Sequence, residues 1–182
     1  ATTANLGPGF DCLGMALELF QTITIEKNDS EKMVFWTNEK LVEDKDNYVI
    51  QAIEFVLRKF NQSKLGYTLV MEDTQIPVSR GLGSSAAALV AGLFAANYLL
   101  DYPLSQNEII DYANQLEGHP DNVAPAILGN VVLATTINDQ TIYSQIKFPK
   151  ELELVVFVPN YKLSTEKARR SLPAEYPREN VI

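Results

Sequence analysis

Between Pro77 and Ala87 the chain reads Pro77-Val78-Ser79-Arg80-Gly81-Leu82-Gly83-Ser84-Ser85-Ala86-Ala87, so glycines, hydroxyls and small side chains converge where an apolar helical pattern begins. Gly81 and Gly83 let the backbone turn tightly and come close to a ligand. Exposed amides at a helix start present partial positive charge to an anion, and Ser84 and Ser85 add short donors or a metal-facing oxygen. The chemistry this suits is the cradling of phosphates. The plain alternative is a tight turn with a serine N-cap. No Gly-x-x-x-x-Gly-Lys-Ser/Thr string occurs, which excludes an ordinary P-loop.

A second cluster, Glu117-Gly118-His119-Pro120-Asp121-Asn122, sets carboxylates, an imidazole and an amide around two helix breakers that allow them to converge. A hard magnesium ion prefers oxygen ligands and keeps waters, so one carboxylate beside a polyphosphate suffices; Glu117 is the candidate and Asp111 the fallback. The alternative is a helix ending in a solvated acidic turn, with His119 an ordinary surface or capping residue. Near the start, Asn5-Leu6-Gly7-Pro8-Gly9-Phe10-Asp11-Cys12-Leu13-Gly14 forms a rigid loop presenting Asn5 and Asp11, a carboxylate suited to an ammonium and an amide suited to a hydroxyl or carboxylate. Its alternative is a plain turn between strands. The charged segment from Ser164 to Pro173 reads by composition as solvent-exposed.

These groups need elements to hold them. Thr22–Glu26 alternates like a half-buried strand, and Met33–Thr37 is its expected partner. Val49, Ile50, Ile53, Val56, Leu57 and Phe60 recur at helical spacing over Tyr48–Phe60, with Asp46 or Asn47 as N-cap. Tyr67–Met71 reads as a strand that runs through Asp73 to Pro77 into the glycine loop, and a helix begins near Ser85. The apolar run Ala86–Leu100 falls short of the roughly 20 residues that span a bilayer, which predicts a buried helix. Ser105 and Glu108 have capping-box spacing for a helix towards Leu116. Val131–Ile137, Ile142–Ile146 and Leu152–Val158 are strand-like, separated by Asn138-Asp139 and by Pro149. A boundary falls at Pro159-Asn160, and a short helix is expected from Ser164 or Thr165. The class is mixed α/β or α+β.

The length of 182 residues fits one domain, or one plus part of a second. A formal net charge of -8 provides no general basic field, so nucleic acid is not an expected partner and any phosphate site must be built locally. Cys12 is the lone cysteine, which rules out an internal disulfide and fits a cytoplasmic home. No secretory signal pattern opens the sequence, and no membrane association is expected.

The loop from Pro77 to Ala87 resembles the second signature of the GHMP kinases, whose core is Pro-x-x-x-Gly-Leu-Gly-Ser-Ser-Ala, and the match is complete. The run His119-Pro120-Asp121-Asn122-Val123-Ala124-Pro125 is similar to the His-x-Asp-Asn-Val-Ala-Pro string of the homoserine kinase branch. The segment from Asn5 to Gly14 is similar to that branch's first signature, and Thr165 to Pro173 to its Thr-x-x-Ala-Arg-x-x-Leu-Pro segment. The resemblance implies an α+β fold, a GHMP kinase N-terminal domain of the ribosomal protein S5 domain 2-like type over residues 1–160. Residues 161–182 would then begin an incomplete C-terminal domain. It further implies ATP held by the loop from Pro77 to Ala87 with Asn47 near the base, Mg2+ held by Ser85 and Glu117, and L-homoserine contacted by Asn5, Asp11, His119, Asp121 and Arg169. Asp121 is the candidate acceptor of the hydroxyl proton, with Asn122 beside it. A homodimer is a family-level expectation. The family carries a strand before residue 1 and a region after residue 182, so the chain is expected to be part of a longer enzyme. A GHMP kinase for another alcohol, such as mevalonate or a sugar, and a non-catalytic binding protein of the same fold are the rival readings.

Overall fold

The computed structural model describes all residues except 31, 38–39, 42–45, 73, 163–164, 174 and 178–182; Asp73 in the expected lead-in to the glycine loop and Ser164 as a helix start lie outside the described residues. In chain order the elements are β1 (Thr2–Ala4), β2 (Leu13–Ala16), β3 (Ile23–Lys27), β4 (Met33–Thr37), β5 (Lys40–Leu41), α1 (Tyr48–Lys59), β6 (Tyr67–Met71), α2 (Ser84–Leu99), α3 (Gln106–Glu117), α4 (Pro120–Leu128), β7 (Val131–Ile137), β8 (Gln140–Ile146) and α5 (Thr165–Arg170). The α+β class is as expected.

Two sheets divide the strands, one ordered β1-β2-β7-β8 and the other β3-β6-β4-β5. The first is antiparallel throughout, closed at one end by the β7–β8 hairpin whose Asn138 and Asp139 both take positive φ, at 50° and 61°. Such a pair of left-handed residues gives a turn whose twist matches its strands, and Asn and Asp tolerate it best. In the second sheet β4 and β3 are not partners as the sequence suggested. β6 lies between them, antiparallel to β3 and parallel to β4. The reason is α1: a parallel pair needs a long crossover, and the helix between β4 and β6 supplies it.

Local signals set the helix ends. Asn47 caps α1 by accepting the Val49 N–H at 2.9 Å. Ser105 and Glu108 complete the capping box of α3 in both directions. The core lies around α2, whose Ala86, Leu89, Val90, Leu93, Ala96 and Leu99 are buried against α1, α3 and the β3-β6-β4 face. A helix apolar all round is one that is covered on several sides. A smaller cluster of Ala124, Val132 and Ala134 joins α4 to the first sheet.

Two departures from the sequence reading bear on function. Residues 152–158 form no ladder among the described residues, so the expected strand is an irregular segment whose Leu152 N–H turns back to the Pro149 carbonyl. Its alternation survives: Leu154, Val156 and Val158 are 44–48% exposed while Val155 and Phe157 are 76% and 89% exposed. Periodicity reports that a segment has two faces, whereas a strand also requires a neighbour's backbone groups. Conversely, α4 was not foreseen, because Gly118 and Pro120 read as breakers. Pro120 instead occupies the helix start, where its missing N–H costs nothing, and Pro125 sits one turn further on.

That second proline cannot donate to the Asp121 carbonyl four residues back. Gly14 of β2 packs against the same carbonyl, and a Cβ on Gly14 would fall 1.7 Å from the Asp121 oxygen. Close contact between β2 and α4 thus sets the height of Asp121 above the sheet. The expected result of Gly14→Ala is a loss of about 1–3 kcal/mol from overpacking, read as a lower urea midpoint at unchanged m-value. An unchanged midpoint would show that β2 and α4 separate freely.

Candidate active site

The glycine loop ends at Gly83, the N-cap of α2, in the left-handed conformation with φ 63° and without a side-chain cap. No acidic residue of α2 itself stands in its first turn, and the carboxylate that reaches this end comes from Glu117 of α3 through Ser85. A Cβ on Gly83 would lie 2.0 Å from Thr2 Oγ1, so this position needs glycine for space as well as for its backbone angle. Gly81, with φ 73°, has open space where a side chain would be. Leu82 and Ala86 point into the core, Val78, Ser79 and Gly81 are exposed, and Pro77, Ser84, Ser85 and Ala87 are half-buried. The loop therefore offers a ligand mainly backbone and hydroxyls. Arg80 reaches from it to the Asn160 carbonyl at 3.4 Å.

Ser85 Oγ donates to Glu117 Oε1 at 2.9 Å, which joins the start of α2 to the end of α3. Asp111, the fallback ligand, is engaged elsewhere: its Oδ1 accepts the Thr141 N–H at 2.7 Å. Among the described residues no three His, Cys, Asp or Glu side chains group as a metal cage, so a cation at Ser85 and Glu117 would take its remaining ligands from outside the protein. Hydroxyl and carboxylate oxygens are the donor set that Mg2+ prefers, and few protein ligands are what it needs beside phosphate.

Beyond Gly118 the chain turns into α4. His119, in extended conformation at the N-cap, places Nδ1 2.7 Å from Asp121 Oδ1, and Asn122 Nδ2 donates to the same oxygen at 3.2 Å. Asp121 is fully buried, and its second oxygen, Oδ2, has no partner. An unsatisfied buried carboxylate oxygen is costly unless something comes to it. The hydrogen bond to Asp121 holds His119 above its ordinary pKa, outweighing burial, with Asp121 and Glu117 charges adding and Arg169 opposing.

The third group spans the chain. Asn5 and Asp11 both take positive φ, at 59° and 56°, and Asn5 Oδ1 accepts the Asp11 N–H at 2.9 Å, which fixes the loop. Arg169 of α5 grips the Asp11 carboxylate with both guanidinium ends, Nη1 to Oδ2 at 3.0 Å and Nη2 to Oδ1, and stacks 5.2 Å from the Phe10 ring. Hydrogen bonding from Arg169 lowers the pKa of Asp11, against desolvation and with help from the Arg169 and His119 charges. The sequence assigned these two residues to opposite ends of a substrate; the structure pairs them with each other.

Most of the expected site residues thus fall into connected groups, one at the glycine loop and Glu117, one at His119 to Asn122, and one at Asn5, Asp11 and Arg169. Asn47 stands apart in helix capping, its Nδ2 3.3 Å from Met71 Sδ. Thr2 was missed. Its hydroxyl donates to Asn122 Oδ1 at 2.8 Å and its N–H to the Leu82 carbonyl at 3.2 Å, so it links the first two groups. A threonine three residues ahead of the Asn5 loop was the one signal, and a strand hydroxyl gives no hint of its partner.

Residues 47–130 match the GHMP kinases N terminal domain. Across its whole length the chain is 43% identical to a homoserine kinase of Clostridium acetobutylicum and 42% identical to one of Deinococcus radiodurans. It spans 62% and 60% of the length of these curated relatives. The crystal structure of homoserine kinase from Cytophaga hutchinsonii superposes with a TM-score of 0.78 at 26% identity, covering 98% of this chain and 60% of that one. An uncapped helix start behind a glycine loop, a hydroxyl and carboxylate beside it, and these likenesses agree: the chain carries the GHMP kinases N-terminal domain.

Proposed function

We propose that the whole protein transfers the γ-phosphoryl group of ATP to the side-chain hydroxyl of L-homoserine, giving O-phospho-L-homoserine for threonine biosynthesis. The observation that carries this reading is the adjacency of an anion-receptive helix start to a buried carboxylate with one unpartnered oxygen, joined through Thr2 and Asn122. That the relatives are homoserine kinases supports the choice of acceptor.

The loop from Pro77 to Ala87 holds the triphosphate through backbone amides at the start of α2, with Ser84 and Ser85 as added donors. Asn47 stands near the nucleotide base. Ser85 and Glu117 are the residues that would hold Mg2+, which when bound neutralises charge on the phosphates. Asn5, Asp11, His119 and Arg169 position the amino acid: the carboxylate of Asp11 suits its ammonium and the guanidinium of Arg169 its carboxylate, so a zwitterion can replace the pair they make with each other. As the hydroxyl oxygen bonds to phosphorus and the bond to the departing ADP oxygen breaks, Asp121 Oδ2 takes the hydroxyl proton. Asn122 and His119 hold Asp121 in place from Oδ1. Catalysis then rests on position and charge.

Residues 161–182 begin a second domain, with Arg169 the contact it returns to the first. The enzyme is expected to act in the cytoplasm as a homodimer, without nucleic acid or membrane partners. Among the described residues no helix is long and apolar enough to cross a membrane.

In coupled ADP release by the natural full-length protein, homoserine is expected to outcompete mevalonate and sugars; preference for another alcohol would replace the acceptor. Asp121→Asn is expected to lower kcat by roughly 10²–10⁴-fold, the usual size of a proton-transfer contribution, and unchanged turnover at saturating homoserine would remove its role as base.

Arg169→Met is expected to raise the KM for homoserine on the order of tenfold or more, the scale of one charge-assisted contact. Its acid response has a defined sign. Asp11 is lowered from 3.8 in the folded protein, so its pairing stabilises the fold above that pH and the contribution fades as pH falls through the lowered value. Acid unfolding curves of Arg169→Met should lack this last stretch of resistance. Superimposable curves would show that the exposed pair contributes nothing to stability.

A further inference from the structure

Thr2 is one of the few buried polar residues of the protein, 1% exposed, and every polar contact it makes goes to a different part of the candidate site. Its N–H donates to the carbonyl of Leu82 in the glycine loop at 3.2 Å. Its Oγ1 donates to Asn122 Oδ1 at 2.8 Å, and the same hydroxyl occupies the space that a Cβ on Gly83 would need. Asn122 in turn donates through Nδ2 to Asp121 Oδ1.

The direction of these bonds matters. A threonine hydroxyl is a donor with a rotatable proton, and an amide has one accepting and one donating end. By donating to Oδ1, Thr2 compels Asn122 to turn Nδ2 towards Asp121. Without that donor Oδ1 is left unpaired and the amide is held from the Asp121 side alone. The glycine loop and the amide beside Asp121 are thereby contacted by one residue of β1, the loop through its main-chain N–H and the amide through its hydroxyl.

We infer that Thr2 is a positioning residue that couples the phosphate loop to Asp121 by fixing the amide of Asn122 and the backbone at Leu82-Gly83. It rests on the kinase reading above for what the coupled groups do, but the coupling itself is a property of three side chains and one loop. A hydroxyl is required and a mere β-branched shape is not enough, since valine fills the same volume without the donor.

The test uses the natural full-length protein with Thr2→Val, Thr2→Ser, Asn122→Ala and the double variant Thr2→Val/Asn122→Ala. Thr2→Val is expected to lower kcat on the order of tenfold, the loss of one buried hydrogen bond, with the KM for homoserine nearly unchanged and that for ATP raised. Thr2→Ser restores most of kcat. On the Asn122→Ala background Thr2→Val adds little, because the bond is already gone. Equal impairment by serine and valine, or additive losses in the double variant, would overturn the inference and leave Thr2 a packing residue. Should the unaltered protein turn over no homoserine, the kinase reading fails separately. The same cycle is then read from the affinity for a fluorescent ATP analogue and from urea unfolding, where additivity within about 0.5 kcal/mol would again sink the coupling.

Discussion

The site depends on the start of α2 being held rigidly without a cap of its own. Most helix starts are quieted by a side-chain cap or an acidic first turn, and this one has neither. Its position is set by burial instead: α2 is covered on several faces by α1, α3 and the second sheet, so its first amides cannot shift to find partners of their own. A glycine in left-handed conformation finishes the arrangement. Any residue with a Cβ would be strained there and would strike Thr2. Packing thus keeps open an electrostatic feature that local sequence would ordinarily close.

The acceptor side is organised by the opposite means. There polar contacts do the positioning, through His119, Asn122 and Thr2, around a carboxylate with no exposed surface. Two backbone devices make room for it: Pro120 starts α4 directly behind the glycine that ends α3, and Gly14 lets β2 lie against the Asp121 carbonyl. Asn5, Asp11 and Arg169 form a third group, tied by the Asp11–Arg169 ion pair. Loop and α4 also touch directly at Gly83 and Asn122, and Thr2 of β1 bonds to both sides.

Residues 152–158 carry several exposed apolar side chains next to the folded domain. A chain spanning about three fifths of its relatives' length has such surface where further structure is expected. Leu154 and Val156, with Ala87, Val90 and Pro125, line a cavity of about 1120 Å³, which lies behind α2 and away from the polar groups of the site. Its walls hold no cluster of charges and suit packing more than chemistry.

Much was legible in the residues alone. The glycine-serine loop, the capped helices α1 and α3, the strand Tyr67–Met71 and the Asn138-Asp139 turn all rest on local rules, where spacing, caps and permitted φ decide the outcome. That Ser85 and Glu117 fall together, and that Asp121 lies beside His119 and Asn122, agrees with the grouping read from the residues. What the sequence could not contain was partnership across distance. It paired β3 with β4 where β6 intervenes, read a ladder into residues 152–158, broke the chain at Gly118 and Pro120 where α4 opens, and passed over Thr2. Ladder bonds, the direction of an amide and the pairing of Asp11 with Arg169 are contacts between segments up to 158 residues apart. Local propensity ends within a few residues, so these were settled only when the two sheets and the five helices of the described residues had packed.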